Sequence, residues 1–354
     1  MAACHTTGRR AGPRPRGLIL QLVLALGSTL LGAATGAAPS LDMAREQYGQ
    51  AVEAIDRGQW TEYRTLRPAL DDYPLAIYLD YFTMTRRPET VRPAEVKQFL
   101  AASANSPLPN RFLAVYLTRA GRERRWQDFL AVMPREPNDI KLKCYYYRAR
   151  LATGDKALAW QGAEQLWVHG KSRPDECDPL FDAWVDAGEV TDAIVWARLL
   201  AVFDARQRSL MAYVARFGSP ALKPWSDKLQ SVYRTPGQLT RIELPVEDAR
   251  SADIAAYGLA YLARFDPEKA LRQWQELNGR LEFGAAQVRK VEYAIALQSL
   301  FAESGANLQW LDGALDRLGE DKLVEIRLRW AIAGQDWAGL EDNLARLSDE
   351  GRAK

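Results

Sequence analysis

Apolar positions recur at helical spacing from Leu41 onward. Leu41, Ala44, Tyr48, Ala51, Val52 and Ile55 share one stripe of a 3.6-residue helix, and Asp56-Arg57-Gly58 ends it. Tyr63, Leu66 and Leu70 mark a second helix, closed by Asp71-Asp72-Tyr73-Pro74. Beyond Pro74, prolines punctuate the helices. Pro93 stands where a helix begins, Pro107 and Pro109 precede another, and Pro134 and Pro137 end the next. Asp178-Pro179 reads as an N-cap followed by proline at the first helical position, ahead of Leu180, Phe181 and Trp184. Alternation of the strand type is confined to residues 239–244, between Pro236 and Pro245, and reads as a connection.

A small or polar turn precedes an aromatic or alanine-rich helix again and again. It is seen at Gly58-Gln59-Trp60, Arg124-Arg125-Trp126, Gly154-Asp155-Lys156, Gly188-Glu189-Val190, Phe265-Asp266-Pro267 and Gly334-Gln335-Asp336-Trp337. Gly154 to Gly188 is a step of 34 residues and Trp60 to Trp126 one of 66, about two such units, although other steps break the period. The pattern predicts an all-α protein: an irregular superhelix of helical hairpins, an α-solenoid of tetratricopeptide-like character, in which each hairpin buries both faces against neighbours. Residues 233–248, with two prolines and a glycine, form the weakest seam and are expected to be a loop within one solenoid. Burial on two sides also suits Cys144-Tyr145-Tyr146-Tyr147, because successive residues on a helix point about 100° apart and a one-sided helix would leave one ring in water. The eleven tryptophans fall after residue 40, mostly at helical positions. Core packing accounts for them better than stacking on sugar rings does.

The first residues have a different grammar. Arg9, Arg10, Arg14 and Arg16 precede an apolar run over residues 18–31, and Gly32, Ala33, Ala34, Gly36, Ala37 and Ala38 come after it. That order is a secretory signal peptide over residues 1–38, with a core too short for a spanning anchor and no cysteine placed for lipidation. The domain from 39 to 354 is then expected in the periplasm, with no transmembrane anchor. The chain is formally +2, and about −2 without the four leader arginines, which gives no electrostatic reason to expect nucleic acid. Cys4 leaves with the leader, and Cys144 and Cys177 remain. In an oxidising compartment they most simply form one bridge; a pair of free or redox-active thiols is the alternative, without Cys-x-x-Cys spacing.

Several stretches resemble the soluble lytic murein transglycosylases. Asp72-Tyr73-Pro74-Leu75 with Tyr78-Leu79-Asp80-Tyr81 is similar to an early helix pair of that family. The more specific match runs from Cys144 to Gly188 and includes Ala159-Trp160-Gln161-Gly162-Ala163, Leu166-Trp167, Gly170-Lys171-Ser172-Arg173-Pro174, Cys177-Asp178 and Leu180-Phe181. A fainter echo covers Arg327 to Leu347. The resemblance implies the family's U-shaped superhelical domain, a partial ring in which the two cysteines pair. It also implies peptidoglycan strands or other cell-wall components as partners. The intact family cleaves the β-1,4 bond between N-acetylmuramic acid and N-acetylglucosamine, leaving a 1,6-anhydro end, with one glutamate serving as acid and then base.

The catalytic motifs implied by that family (Glu-Ser, Gly-Leu-Met-Gln, Ala-Tyr-Asn-Ala-Gly) are not found as a set. Glu303-Ser304-Gly305 supplies a Glu-Ser pair, but Met211 is the last methionine and no Tyr-Asn pair occurs. Glu303 sits where a helix ends, which favours a capping or solvated role. His169 is the one histidine outside the leader, at a helix end where the helix dipole explains it, so neither a His-rich metal site nor a Ser-His-Asp set is expected. No glycine-rich phosphate loop comes after a strand, and no cofactor is expected. The sequence thus predicts a non-catalytic scaffold, truncated within the superhelical domain. The alternatives are a fragment of an active enzyme whose catalytic domain lies beyond residue 354, and a stand-alone helical-repeat adaptor for a protein partner.

Overall fold

The computed structural model describes residues 40–353; the expected leader lies outside them. The described residues are helical without a strand, and contacts divide the chain into a compact unit ending at Tyr73 and another beginning at Pro74. In the first unit, α1 (Leu41–Asp56) starts on Ser40, whose hydroxyl accepts the Met43 N–H, and buries Ala44, Ala51, Ala54 and Ile55. The next helix, α2 (Trp60–Leu66), passes into a 3-10 turn over Arg67–Leu70. Pro68 cannot donate the backbone hydrogen bond that would continue the α-helix. Tyr48 and Tyr73 meet at 5.2 Å between ring centroids.

The second unit begins with α3 (Ala76–Arg86), α4 (Pro93–Ala102), α5 (Leu108–Arg122), α6 (Trp126–Val132), α7 (Ile140–Ala152), α8 (Lys156–Trp167) and α9 (Asp178–Asp186). It continues through α10 (Asp192–Asp204), α11 (Arg208–Val214), α12 (Lys223–Arg234), α13 (Ala249–Leu262), α14 (Pro267–Asn278) and α15 (Ala285–Phe301). The last elements are α16 (Leu308–Leu318), α17 (Asp321–Ala333), α18 (Trp337–Arg346) and the short α19 (Asp349–Arg352). Packing skips along the chain: α3 lies on α5, α5 on α7 and α7 on α9, then α10 on α13, α13 on α15 and α15 on α17, with shorter helices filling between. Each helix of these rows therefore has neighbours on two sides, the arrangement expected of stacked hairpins.

One turn repeats at the helix junctions. In each copy an N–H bonds to the carbonyl five residues earlier: Gln59 to Ala54, Arg125 to Ala120, Asp155 to Arg150, Glu189 to Trp184, Gln207 to Val202, Ser304 to Ser299 and Asp336 to Ala331. The residue just before each donor is left-handed. Gly58, Gly154 and Gly188 occupy it without strain, while Arg124, Arg206, Glu303 and Gln335 occupy it as L-residues. The expected turns before α14 and α18 are both present: Asp266 caps α14 by accepting the Lys269 N–H at 2.8 Å, and Gln335 takes the left-handed position before α18. Asp178 departs from its expected role. It is already helical, continuing a 3-10 turn over Asp175–Cys177, and its side chain makes no cap. The weak seam carries a 3-10 helix over Pro236–Arg241, held by buried Leu239 and by Gln273 Nε2 donating to the Gly237 carbonyl at 3.1 Å.

The two-sided burial of α7 is where the packing is tightest. Tyr145, Tyr146 and Tyr147 are all buried. A Cβ on Gly121 of α5 would stand 2.4 Å from the Tyr145 ring, and one on Gly162 of α8 would stand 2.3 Å from Tyr147. The two glycines admit rings from opposite sides, and only Gly leaves that room. Cys144, on the same helix, is bonded to Cys177, with Cα atoms 4.8 Å apart and both residues enclosed. Of the eleven tryptophans only Trp337, 63 % accessible, is exposed.

Gly121→Ala and Gly162→Ala should each lower stability by about 1–3 kcal/mol in denaturant unfolding, through overpacking. Gly313→Ala, whose added methyl would meet only Arg317 at 3.4 Å, should be neutral or stabilising by up to about 1 kcal/mol. Replacing both Cys144 and Cys177 with alanine should cost about 3 kcal/mol, read as a lower midpoint that reducing agent no longer shifts.

Candidate functional site

The residues weighed for chemistry are scattered. Glu303 is exposed at its left-handed turn; its backbone N–H bonds to the Leu300 carbonyl, and its side chain makes no hydrogen bond or ion pair within the described residues. Its neighbour Ser304 is buried and donates to Glu268 Oε1 at 2.9 Å, so the serine belongs to the α14–α15 packing. A glutamate that must give and retake a proton needs an enclosed site that tunes it, and Glu303 has none. His169 lies just past the end of α8, where its Nδ1 accepts the Lys171 N–H at 3.1 Å and fixes the loop that leads to Arg173. Among the described residues, no three His, Cys, Asp or Glu side chains converge as a metal site, and no helix is long and apolar enough to cross a membrane.

Two clefts in the second unit lie between packed helices. The first, about 200 Å³, lies between α10, α13 and α15. Phe203 forms its floor, with Tyr233, Tyr257 and Tyr261 edge-on at 5.3, 6.0 and 5.7 Å, and Tyr233 stacks on Tyr261. Lys290 bonds to Asp204 at 2.5 Å and lies 4.0 Å over the Tyr257 ring. Burial first, then the nearby Asp204 and Asp253, push the Tyr257 phenol up to about 12, so it stays a neutral hydrogen-bond donor. The cleft offers aromatic faces and hydrogen-bond donors, and the carboxylate that lines it, Asp204, is paired with Lys290.

The second cleft, about 590 Å³, lies between α10, α12 and α13. Trp196 Nε1 donates to Asp253 Oδ2 at 2.8 Å, and Gln287 Nε2 donates to its other oxygen at 2.7 Å. Asp192 accepts from the Ser219 N–H at 2.8 Å and hydroxyl at 2.6 Å. Arg250 pairs with Asp248 at 2.9 Å and lies 4.9 Å from the Trp225 ring centre, and Lys228 lies 5.0 Å from the same centre. The carboxylates are committed and the Trp225 ring already carries cations, so this network chiefly holds helices in register. No sequence signal singled it out, because its partners are 57, 34 and 27 residues apart.

No family model matches the chain. It is 29 % identical over 335 residues to the soluble lytic murein transglycosylase of Escherichia coli K12, a match covering 94 % of this chain and 52 % of the relative. It is 28 % identical over 321 residues to the Salmonella typhimurium protein of the same name, covering 90 % and 50 %. The crystal structure of the 70 kDa soluble lytic transglycosylase from E. coli aligns with a TM-score of 0.71 at 28 % identity, over 89 % of this chain and 52 % of that one. An inactive mutant of the lytic transglycosylase Slt from Pseudomonas aeruginosa aligns at 0.71 and 29 % identity, over 88 % and 50 %. The chain spans about half the length of the curated relatives it matches.

The Asp192 carboxyl is held below its ordinary 3.8, first by the Ser219 hydroxyl and then by the Ser219 N–H. Its stabilising contribution is present in full above the unfolded value and is lost as pH falls through the lower folded one. Asp192→Asn should therefore flatten the acid limb of the stability curve below about pH 4, whereas an unchanged slope would mean that the Asp192–Ser219 contact carries no folding energy.

Proposed function

We propose that this chain, similar to the soluble lytic murein transglycosylases over 94 % of its length, serves as a non-catalytic helical scaffold of their kind in the periplasm. The observation that carries this reading is the pairing of 94 % coverage of the chain with 52 % coverage of the relative. The all-α stack and the likeness to solved lytic transglycosylases support it, as does the exposed, unenclosed Glu303. The scaffold would position and bind cell-wall polymer and cleave no bond. Export through the leader at residues 1–38 is part of the proposal and rests on the order of charge, apolar run and small residues.

A second reading is favoured by the length of the relatives: the chain is one portion of an active enzyme whose glutamate lies outside residues 1–354. The coding sequence after Lys354 separates the two, since a lysozyme-like continuation would favour the enzyme. Incubated with purified murein sacculi, the chain should sediment with the polymer and release no anhydromuropeptides. Release above a buffer control would overturn the scaffold reading, and failure to sediment would remove the binding role.

A further inference from the structure

Arg198 of α10 is 4 % accessible, its Nε is enclosed without a hydrogen-bond partner, and the side chain makes no ion pair among the described residues. The chain treats its other deeply buried arginine differently. Arg327 lies 3.4 Å from Asp312 and 3.7 Å from Asp336. What Arg198 does have is an aromatic face: its guanidinium sits 4.2 Å from the centre of the Trp167 ring. A ring face accepts no ordinary hydrogen bond from a guanidinium's five N–H donors, and Nε has no other partner. A buried cation with unmet donors is costly, and the usual remedy is a hydrogen-bonded anion.

Among the described residues, no carboxylate is one of the groups that act on Arg198. Arg173, in the loop after α8, spends its Nε on the Leu166 carbonyl at 2.7 Å and has no carboxylate partner. Arg216 lies 4.7 Å from the Tyr213 ring centre and likewise has none. Tyr213 and Arg173 are the titratable groups that act on Arg198, and burial lowers its guanidinium to about 10. Trp167 also meets Trp184 and Phe217 edge-on at 5.8 and 5.7 Å, which closes an apolar wall. The loop reaches α10 through Gly170, where a Cβ would stand 2.5 Å from the Ala201 carbonyl oxygen. That close approach brings Arg173 beside Arg198.

We propose that Arg198, with Arg173 close enough to act on it, is a binding site for a carboxylate anion. The planar fork of a guanidinium matches a carboxylate with two parallel hydrogen bonds, and the indole and phenyl wall suits the carbon skeleton beside it. The two oxygens of a carboxylate are coplanar and meet the guanidinium fork edge to edge. The site stands on charge and packing alone and does not depend on the scaffold reading.

The test titrates the whole chain, at constant ionic strength, with acetate and N-acetylglycine, and with acetamide and sulfate as controls, by calorimetry and thermal melting. Saturable binding of the two carboxylates is expected, at least tenfold weaker in Arg198→Met and intermediate in Arg198→Lys, which keeps the charge but loses the fork. Arg173→Gln should weaken binding several-fold. Without carboxylate, Arg198→Met should melt no lower than the parent chain. The proposal fails if carboxylates bind no better than acetamide, if sulfate alone binds, or if Arg198→Met binds undiminished. A lower melting point for Arg198→Met, with a parent chain whose melting carboxylate leaves unchanged, would make the arginine purely structural and overturn the proposal.

Discussion

The structure depends on close approach between helices that are covered on both sides. Around α7 that approach is extreme: rings from consecutive positions of one helix press onto glycines of two others, and a bond through Cys144 ties the same helix to the turn before α9. A helix in that situation has no solvent face along its middle, so ordinary amphipathic design gives way to burial all round. Removing backbone-to-ring contact at one face would loosen both neighbours, because each is shared along the stack.

The turns complement that packing. A repeated left-handed residue reverses the chain within a few positions and lets short helices sit side by side. Where the residue is Arg124, Arg206, Glu303 or Gln335 instead of glycine, the strained backbone persists because the packed helices on either side over-determine it. Glu303 shows how this bears on function. Its sequence context invites comparison with a catalytic Glu-Ser pair, yet the fold uses it as the reversing residue and leaves its carboxylate in water.

Polar groups inside the stack are mostly assigned to one another. Glu292 takes two hydrogen bonds from Arg317, Asp253 joins Trp196 to Gln287, and Asp192 holds the turn at Ser219. Against this background Arg198 is poorly satisfied: its Nε is buried without a hydrogen-bond partner and its guanidinium lies over the Trp167 ring. The chain matches about half the length of the soluble lytic murein transglycosylases it resembles, and Arg198 is the buried cation that its described residues leave without an ion pair.

Local periodicity, helix-stopping residues and proline positions were enough to determine an all-α chain of short helices, and the run from Cys144 to Tyr147 announced burial on two sides, because these depend on neighbours within a turn or two of helix. The junction residues were legible for the same reason, although the Asp178 cap gave way to a continuous 3-10 lead-in. Tertiary structure alone decided which helix lies on which, that Gly121 and Gly162 face tyrosines, that Asp253 serves Trp196, and that Arg198 makes no ion pair among the described residues. Those facts join residues dozens of positions apart, and their energies come from exclusion of water and from close fit between side chains, neither of which leaves a periodic trace along the chain.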